Sequence, residues 1–313
     1  MEQLPPVIFL MGPTACGKTA AALHLHSQFP CDLISVDSAM IYRGMDIGTA
    51  KPSAAELKRV PHRLIDIRDP SESYSVAEFC QDVYQAVAEI HARKRIPLLV
   101  GGTLMYFRVL QTGLSRLPAA NLEVRERIGH TAKTLGWPAV HALLAEKDPV
   151  AAARIHPNDA QRIQRALEVF EVTGTALSEL QAQEGFRAWP YRTLKIALAP
   201  LKREVLNEPI ALRFQEMLEN GLLDEVAALR KRGDLHQNLP SMRCVGYRQV
   251  WEYLDGQLTH ADLIVQAAKA TRMLAKRQYT WLRREQNCHW VDSTTPDVLE
   301  CLRNWIEENQ SFA

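Results

Sequence analysis

A chain of 313 residues that is 47% hydrophobic can bury one large core and an inserted or second one. A formal net charge of +1 excludes a globally basic nucleic-acid binder, so any surface for a polyanion has to come from local clustering of Lys and Arg. No apolar run reaches membrane-spanning length, and the six cysteines (Cys16, Cys31, Cys80, Cys244, Cys288, Cys301) are scattered without a CxxC pair, which predicts a reduced cytoplasmic setting and no membrane partner.

The apolar opening Leu4 to Met11 follows the acidic Glu2 and lacks a basic flank, so it reads as a buried strand rather than a signal peptide. Directly after it, Gly12, Pro13, Thr14, Ala15, Cys16, Gly17, Lys18 and Thr19 satisfy G-x-x-x-x-G-K-[ST] and open a helix through Leu23 and Leu25. The glycines let successive N–H groups turn towards a phosphate, the helix start adds a field that favours anions, Lys18 adds a point charge and Thr19 a hydroxyl for Mg²⁺. The loop alone leaves open whether the phosphates belong to a nucleotide.

A second strand, Leu33 to Asp37, ends in a carboxylate on the side where open α/β sheets bind ligands. Asp37 can be a Mg²⁺-associated acid, a general base, or a plain turn or N-cap aspartate before Ser38. A third strand, Ile96 to Val100, runs into Gly101, Gly102 and Thr103, which either approach a ligand closely or form an ordinary strand-to-helix turn. From Ser115 to Phe186 the periodicity is helical with almost no strand signal. A fourth strand, Leu194 to Ala199, is followed by helical sequence from Glu204 to Trp281, punctuated by Gly221, Gly233, Pro240 and Gly256.

The predicted fold is therefore α/β: a P-loop NTPase-like parallel sheet core made of 1–114 and 187–313, with a helical insertion at 115–186. From Lys269 to Arg284 the chain carries Lys269, Arg272, Lys276, Arg277, Arg283 and Arg284 with no acidic residue. At 100° per residue Lys269, Arg272, Lys276 and Arg283 share one helix side, and Ile264, Ala267, Ala268, Leu274, Ala275 and Leu282 another. That stripe is either a nucleic-acid surface or a solvated face. Gln161, Arg162, Gln164 and Arg165 offer amides and guanidiniums suited to bases and phosphates, and Tyr247 and Tyr279 are either base-stacking or core aromatics.

Taken together, the P-loop residues, the segment Asp37 to Pro52, the run Gly101 to Phe107 and the run Arg243 to Arg248 resemble bacterial tRNA dimethylallyltransferases, also called tRNA isopentenyltransferases. The likeness runs over nearly the whole chain and is more specific than a P-loop, because the Asp37 to Pro52 segment is not a nucleotide-kinase pattern. Cys16 stands where that family has a small serine, and Met40 also departs from its pattern.

The resemblance implies transfer of a dimethylallyl group from dimethylallyl diphosphate to the N6 amine of the adenosine 3′ to the anticodon, in tRNAs reading codons that begin with U, with release of diphosphate. It makes Asp37 the general base and Thr103 the contact to the leaving group. The eight P-loop residues and Arg213 would bind diphosphate, with Mg²⁺ as cofactor. Contacts to the tRNA anticodon stem-loop would come from Asp37, Ser38, Ala39 and Met40, from Arg125, and from Gln161, Arg162, Ile163, Gln164 and Arg165. Two further runs would add to them: Arg243, Cys244, Val245, Gly246, Tyr247 and Arg248, then Lys276, Arg277, Gln278, Tyr279, Thr280, Trp281, Leu282 and Arg283. A monomer is the expected working form.

The chemistry suits those parts. An adenine amine is a poor nucleophile, helped by a carboxylate that accepts its proton, while preorganised donors meet the charge that develops on the diphosphate. No paired-aspartate DDxxD cluster of the terpenoid prenyltransferase kind exists to hold Mg²⁺ and diphosphate, so the P-loop has to do so. The rival readings are a P-loop kinase with the insertion as its lid, a prenyltransferase of free adenine nucleotides, and a non-catalytic RNA-binding ATPase.

Overall fold

The computed structural model describes residues 6–113, 115, 117–182 and 189–309. Strands β1 (Val7–Met11), β2 (Cys31–Val36), β3 (His62–Arg63), β4 (Ile96–Gly101), β5 (Thr193–Leu198) and β6 (His289–Val291) form one sheet in the order β3-β2-β4-β1-β5-β6. Every pairing is parallel. A parallel sheet is covered on both faces, which is why β1 is buried at every residue and reads as an unbroken apolar run. Four of the strands lie where the sequence predicts them. The two-residue β3 and three-residue β6 carry too little pattern to be predicted, and Asp37 falls just beyond the end of β2.

Register sets the position of the site. Met11 of β1 and Val36 of β2 both pair with Gly101 of β4, so the three strands end level and their following residues meet on one edge. The P-loop, Asp37 and the Gly102-Thr103 turn all leave from that edge, the ligand side of a doubly wound sheet. Beneath them Ile8, Leu10, Leu33, Leu98 and Ile196 form the main core. A second core joins Ile41, Tyr42 and Met45 to Phe214, Leu222, Val226, Tyr247, Val250, Leu263 and Ala267.

The chain divides into two compact units, Met1–Val109 with Tyr191–Ala313, and Leu110–Pro190. The predicted boundaries at Leu114, Phe186 and Arg187 lie outside the described residues. The described part of the second unit contains the helices Leu122–Leu135, Trp137–Lys147, Pro149–Arg154, Ala160–Thr173 and Leu177–Ala182, and no strand. Its core is built from Val124, Ile128, Val140, Leu144, Ile163, Ala166 and Val169. Asp148 ties two of these helices: Oδ1 accepts from the Ala151 N–H and the Ser178 hydroxyl, and Oδ2 from the Ser178 N–H. Among the described residues no helix is long and apolar enough to cross a membrane.

Candidate active site

The P-loop joins β1 to the helix Lys18–Gln28. Gly17 at φ 88° and Ala15 at φ 63° take left-handed backbone conformations, so the loop curls with its N–H groups towards its concave side. The N–H groups of Lys18 and Thr19 open the helix and have no intrahelical acceptor, which leaves them for an anion. Lys18 Nζ donates to the Pro13 carbonyl at 2.5 Å and lies 3.8 Å from Cys16 Sγ, folded back over the loop. Gly12 has to be glycine: a Cβ there would lie 2.3 Å from the Leu198 carbonyl oxygen. Cys16 is buried, and its thiol occupies the space left beside Gly12.

Asp37 Oδ1 accepts the N–H groups of Ala39 at 2.8 Å and Met40 at 3.2 Å, a turn that fixes the carboxylate. Among the described residues Oδ2 has no hydrogen-bond partner. The turn role is thus carried by one oxygen, which leaves the other free to serve a ligand. On β4, a Cβ at Gly101 would lie 2.0 Å from the Val36 carbonyl oxygen, so the GGT turn packs directly on the end of β2. That contact brings Thr103 to Ser38, whose N–H donates to Thr103 Oγ1 at 3.2 Å. Thr103 N–H in turn donates to the Val36 carbonyl at 3.3 Å.

Arg213, on the helix Asn207–Glu219, donates to the Thr14 hydroxyl at 3.3 Å and so reaches the P-loop from the far part of the chain. Burial weighs against its charge, and the Asp37 carboxylate partly offsets this. Guanidinium remains protonated in proteins, so Arg213 brings a fixed positive charge. The Cys244 thiol, pushed up to about 12 by burial and then by the Asp37 charge, stays neutral and is no nucleophile.

These groups line one cleft of about 980 Å³. Its wall combines the P-loop, Asp37 to Met40, Gly101 to Met105, Arg213, Met217, Arg243 to Gly246, Arg277, Gln278 and Trp281. Phosphate-binding loop, carboxylate, hydroxyl and two apolar-faced helices therefore share one space, large enough for an allylic diphosphate and a base.

The residues expected to touch RNA divide into two groups. Arg243, Arg248, Lys276, Arg277, Thr280 and Arg283 are exposed, as are Gln161, Arg162 and Ser38. The buried group needs correction. Ile163, Tyr247 and Leu282 are 0% exposed and Tyr279 3%, so their side chains belong to cores. Tyr247 donates to Glu225 and Tyr279 to the Pro200 carbonyl, which makes both core aromatics and not stacking platforms. Gln278 is buried with both ends of its amide bonded inside the protein. Arg125 and Arg165 are also committed: both bind Glu168, whose carboxylate is fully buried, and Arg165 donates further to the Pro118 carbonyl. Gln164 donates to the Arg125 carbonyl. The polar face of that helix is largely consumed in holding its own unit together.

Two residues that sequence reasoning missed shape the cleft wall. Glu225 accepts the N–H groups of Asp46 at 2.9 Å, Ile47 at 2.8 Å and Gly48 at 3.3 Å, as well as the Tyr247 hydroxyl. Lys51, only 2% exposed, reaches Asp46 at 2.5 Å, Asp66 at 2.6 Å and the Tyr42 carbonyl at 2.9 Å. Together they fix the segment after Asp37, whose residues Gly48, Thr49, Ala50 and Pro52 line the cleft. The one available signal was the Asp37 to Pro52 segment itself, whose many small and polar residues need partners from elsewhere.

Residues 40–285 match the family described as IPP transferase. Among solved structures, a full-length tRNA isopentenylpyrophosphate transferase from Bacillus halodurans is 37% identical, with 97% of this chain and 96% of that one covered and a TM-score of 0.70. A tRNA delta(2)-isopentenylpyrophosphate transferase from Staphylococcus epidermidis is 30% identical over 97% and 99%, with a TM-score of 0.68. A eukaryotic dimethylallyltransferase acting on tRNA is 25% identical over 98% of this chain and 80% of that one, with a TM-score of 0.81. A parallel P-loop core, a carboxylate and a hydroxyl set level at its ligand edge, and a match that spans Met40 to Glu285 lead to one assignment: the chain belongs to the IPP transferase family.

Proposed function

We propose that the cleft transfers a dimethylallyl group from dimethylallyl diphosphate to the N6 amine of the adenosine 3′ to the anticodon, in tRNAs that read codons beginning with U. The observation that carries this reading is the convergence of the P-loop, Asp37 and Thr103 on one open cleft. The names of the similar proteins, which act on tRNA with prenyl donors, support the substrate pair.

The diphosphate sits against the P-loop amides, Lys18 and Arg213. The Ser38 amide occupies one lone pair of Thr103 Oγ1, and the Thr103 hydroxyl points to Ser38 Oγ at 3.5 Å, a weak bond that it exchanges for one to the bridging oxygen when the donor binds. As the C–O bond stretches, the diphosphate gains negative charge and these fixed donors stabilise it without reorganising. The amine attacks the allylic carbon, and Asp37 Oδ2 accepts the amine proton. To reach Asp37 the adenine leaves the anticodon-loop stack, which costs a few kcal/mol that contacts to the exposed Arg243, Arg248, Lys276, Arg277 and Arg283 offset.

Mg²⁺ fits as a cation held mainly by substrate. Among the described residues no three His, Cys, Asp or Glu side chains converge on a point. The exposed Thr19 hydroxyl at the helix start would share it with diphosphate oxygens and water, the usual way Mg²⁺ binds beside phosphates. When bound it neutralises leaving-group charge. In this reading the enzyme works as a monomer in the cytoplasm.

The test incubates the protein with labelled dimethylallyl diphosphate, Mg²⁺ and unmodified tRNA, then locates the label. Label on the adenosine next to the anticodon, with diphosphate released, is the expected result. Phosphoryl transfer from ATP to a small acceptor, with no label in RNA, would establish a kinase instead.

A further inference from the structure

Gln278 is 9% exposed, on the inner side of the helix His260–Leu282. Its Oε1 accepts the Thr14 N–H at 2.9 Å, and its Nε2 donates to the Gly102 carbonyl at 3.0 Å. Thr14 belongs to the P-loop, and Gly102 to the turn that carries Thr103. One side chain thus bonds to both loops of the active site at once. A Cβ on Gly102 would lie 2.3 Å from Gln278 Nε2, so the turn and the amide are in direct contact. Among the described residues, the other hydrogen bond between the two loops runs from the Gly12 N–H to the Gly101 carbonyl at 3.3 Å, longer than either bond of the bridge.

The bridge requires a primary amide. A carboxylate accepts but cannot donate, an ammonium donates but cannot accept, and a primary amide does both from two adjacent atoms of one planar group. Asn is one methylene shorter, so Gln is the fitting choice for two loops on either side of a buried helix face. Both polar atoms of the side chain are engaged inside the protein, and this separates it from its exposed neighbours Lys276 and Arg277.

We infer that Gln278 is a positioning residue that sets the separation between the P-loop amides holding the diphosphate and the Thr103 hydroxyl serving its bridging oxygen. This rests on the proposed prenyl transfer. The donor is gripped at its terminal oxygens by one loop and at its bridging oxygen by the other, so a change in loop spacing misaligns the bond that breaks. A misplacement of about 1 Å can slow a reaction by about 10²-fold.

The experiment uses the full chain with labelled dimethylallyl diphosphate and unmodified tRNA. It measures the single-turnover rate at saturation, KM for the donor, tRNA affinity and the thermal midpoint. Gln278→Met, similar in size but unable to form either bond, lowers the single-turnover rate by about 10- to 100-fold and raises donor KM, while tRNA affinity holds. Gln278→Glu keeps the Thr14 bond but sets a carboxylate against the Gly102 carbonyl; its shape is unchanged, so it carries the comparison if Gln278→Met does not fold. Gly102→Ala pushes the same amide from the other side, and combining it with Gln278→Ala gives much less than the sum of the two losses.

Normal rates in folded Gln278→Met overturn the inference and reduce Gln278 to packing. A loss of tRNA affinity with unchanged single-turnover chemistry makes it an RNA-binding residue. Strict additivity in the Gly102 cycle shows that the two loops are held independently. A wild-type protein that transfers no label overturns the prenyl-transfer reading itself, an outcome distinct from all three.

Discussion

Ser38 donates its backbone N–H to Thr103 Oγ1 at 3.2 Å, joining the residue after the carboxylate to the hydroxyl at the end of β4. The hydroxyl proton points to Ser38 Oγ at 3.5 Å, a weak bond that a bridging oxygen can replace. Thr103→Ala is expected to raise the barrier by about 2.7–4 kcal/mol, the usual loss for one preorganised donor. Thr103→Ser should recover most of it, because the hydroxyl returns. Single-turnover rates at saturating donor and tRNA decide the matter, and an Ala variant within a few-fold of wild type would refute a leaving-group role.

Asp37 is best tested as Asp37→Asn. The amide oxygen of Asn can still accept the Ala39 and Met40 N–H groups, so the turn is kept while proton acceptance is lost. Turnover should fall by about 10²–10⁴-fold with tRNA affinity nearly intact. Should RNA binding collapse while the residual complex reacts normally, Asp37 is a binding residue and another group takes the proton.

Glu225 serves three backbone amides and one buried hydroxyl, so its removal strands several donors at once. Glu225→Ala is expected to destabilise the protein by about 1.5–3 kcal/mol, in the range for hydrogen bonds to a charged group. Tyr247→Phe, which removes one bond of four, should lose less. Thermal or urea unfolding gives the values, with the exposed neighbour Asp224→Ala as control; equal effects at 224 and 225 would mean the network adds nothing.

Acid should weaken the helical unit through Glu168. Burial alone would raise this carboxyl, but hydrogen bonds from Arg125, Arg165 and the Asn121 N–H outweigh it and hold the pKa below the usual range. A depressed folded pKa contributes stability that is present above the unfolded value, about 4.3, and is lost as pH falls through the folded one. Unfolding measured from neutral pH down to acid should show this loss, and Glu168→Gln should flatten it. An unchanged slope in that variant would place the acid sensitivity elsewhere, with Asp148 the next carboxyl held low.

The basic helix should act through binding. Lys276→Ala with Arg283→Ala is expected to shrink the slope of log tRNA affinity against log salt by roughly 0.7 per lost single-strand phosphate contact. Chemistry at saturating tRNA should change far less. If slope and affinity stay as they are, the stripe is a solvated face and RNA is held by other exposed groups.

What the sequence revealed and what it hid follow from the range of the interactions. The strands β1, β2, β4 and β5 are legible as apolar runs, and the P-loop as a local motif between strand and helix. The faces of the helix His260–Leu282 are legible too, with Ala267, Ala268, Ala275 and Leu282 buried as periodicity requires. The roles of Glu225, Gln278 and Lys51 are not, because a polar side chain on a helix or loop looks solvated until its partner is known. Gln278 finds its partners 264 and 176 residues away, and Glu225 lies 177 to 179 residues from the loop it holds. Arg125 and Arg165 are hidden for the same reason: the sequence does not show that both guanidiniums hold the buried Glu168 carboxylate.

The place of β1 between β4 and β5 has a further consequence during synthesis. β1 emerges from the ribosome well before its partner β5, which comes only at Thr193, and before the amide that holds Thr14, at Gln278. At about 5–20 residues per second, β1 waits on the order of ten seconds or more as an open, wholly apolar edge of the kind that pairs with other chains. Through that interval the nascent chain carries the P-loop and Asp37 but no assembled cleft. Ribosome-bound chains stopped before Thr193 should therefore recruit chaperones and be cut readily by protease, and those extended past Leu282 beyond the exit tunnel should not. Equal resistance at both lengths would mean that the N-terminal strands are protected before β5 arrives.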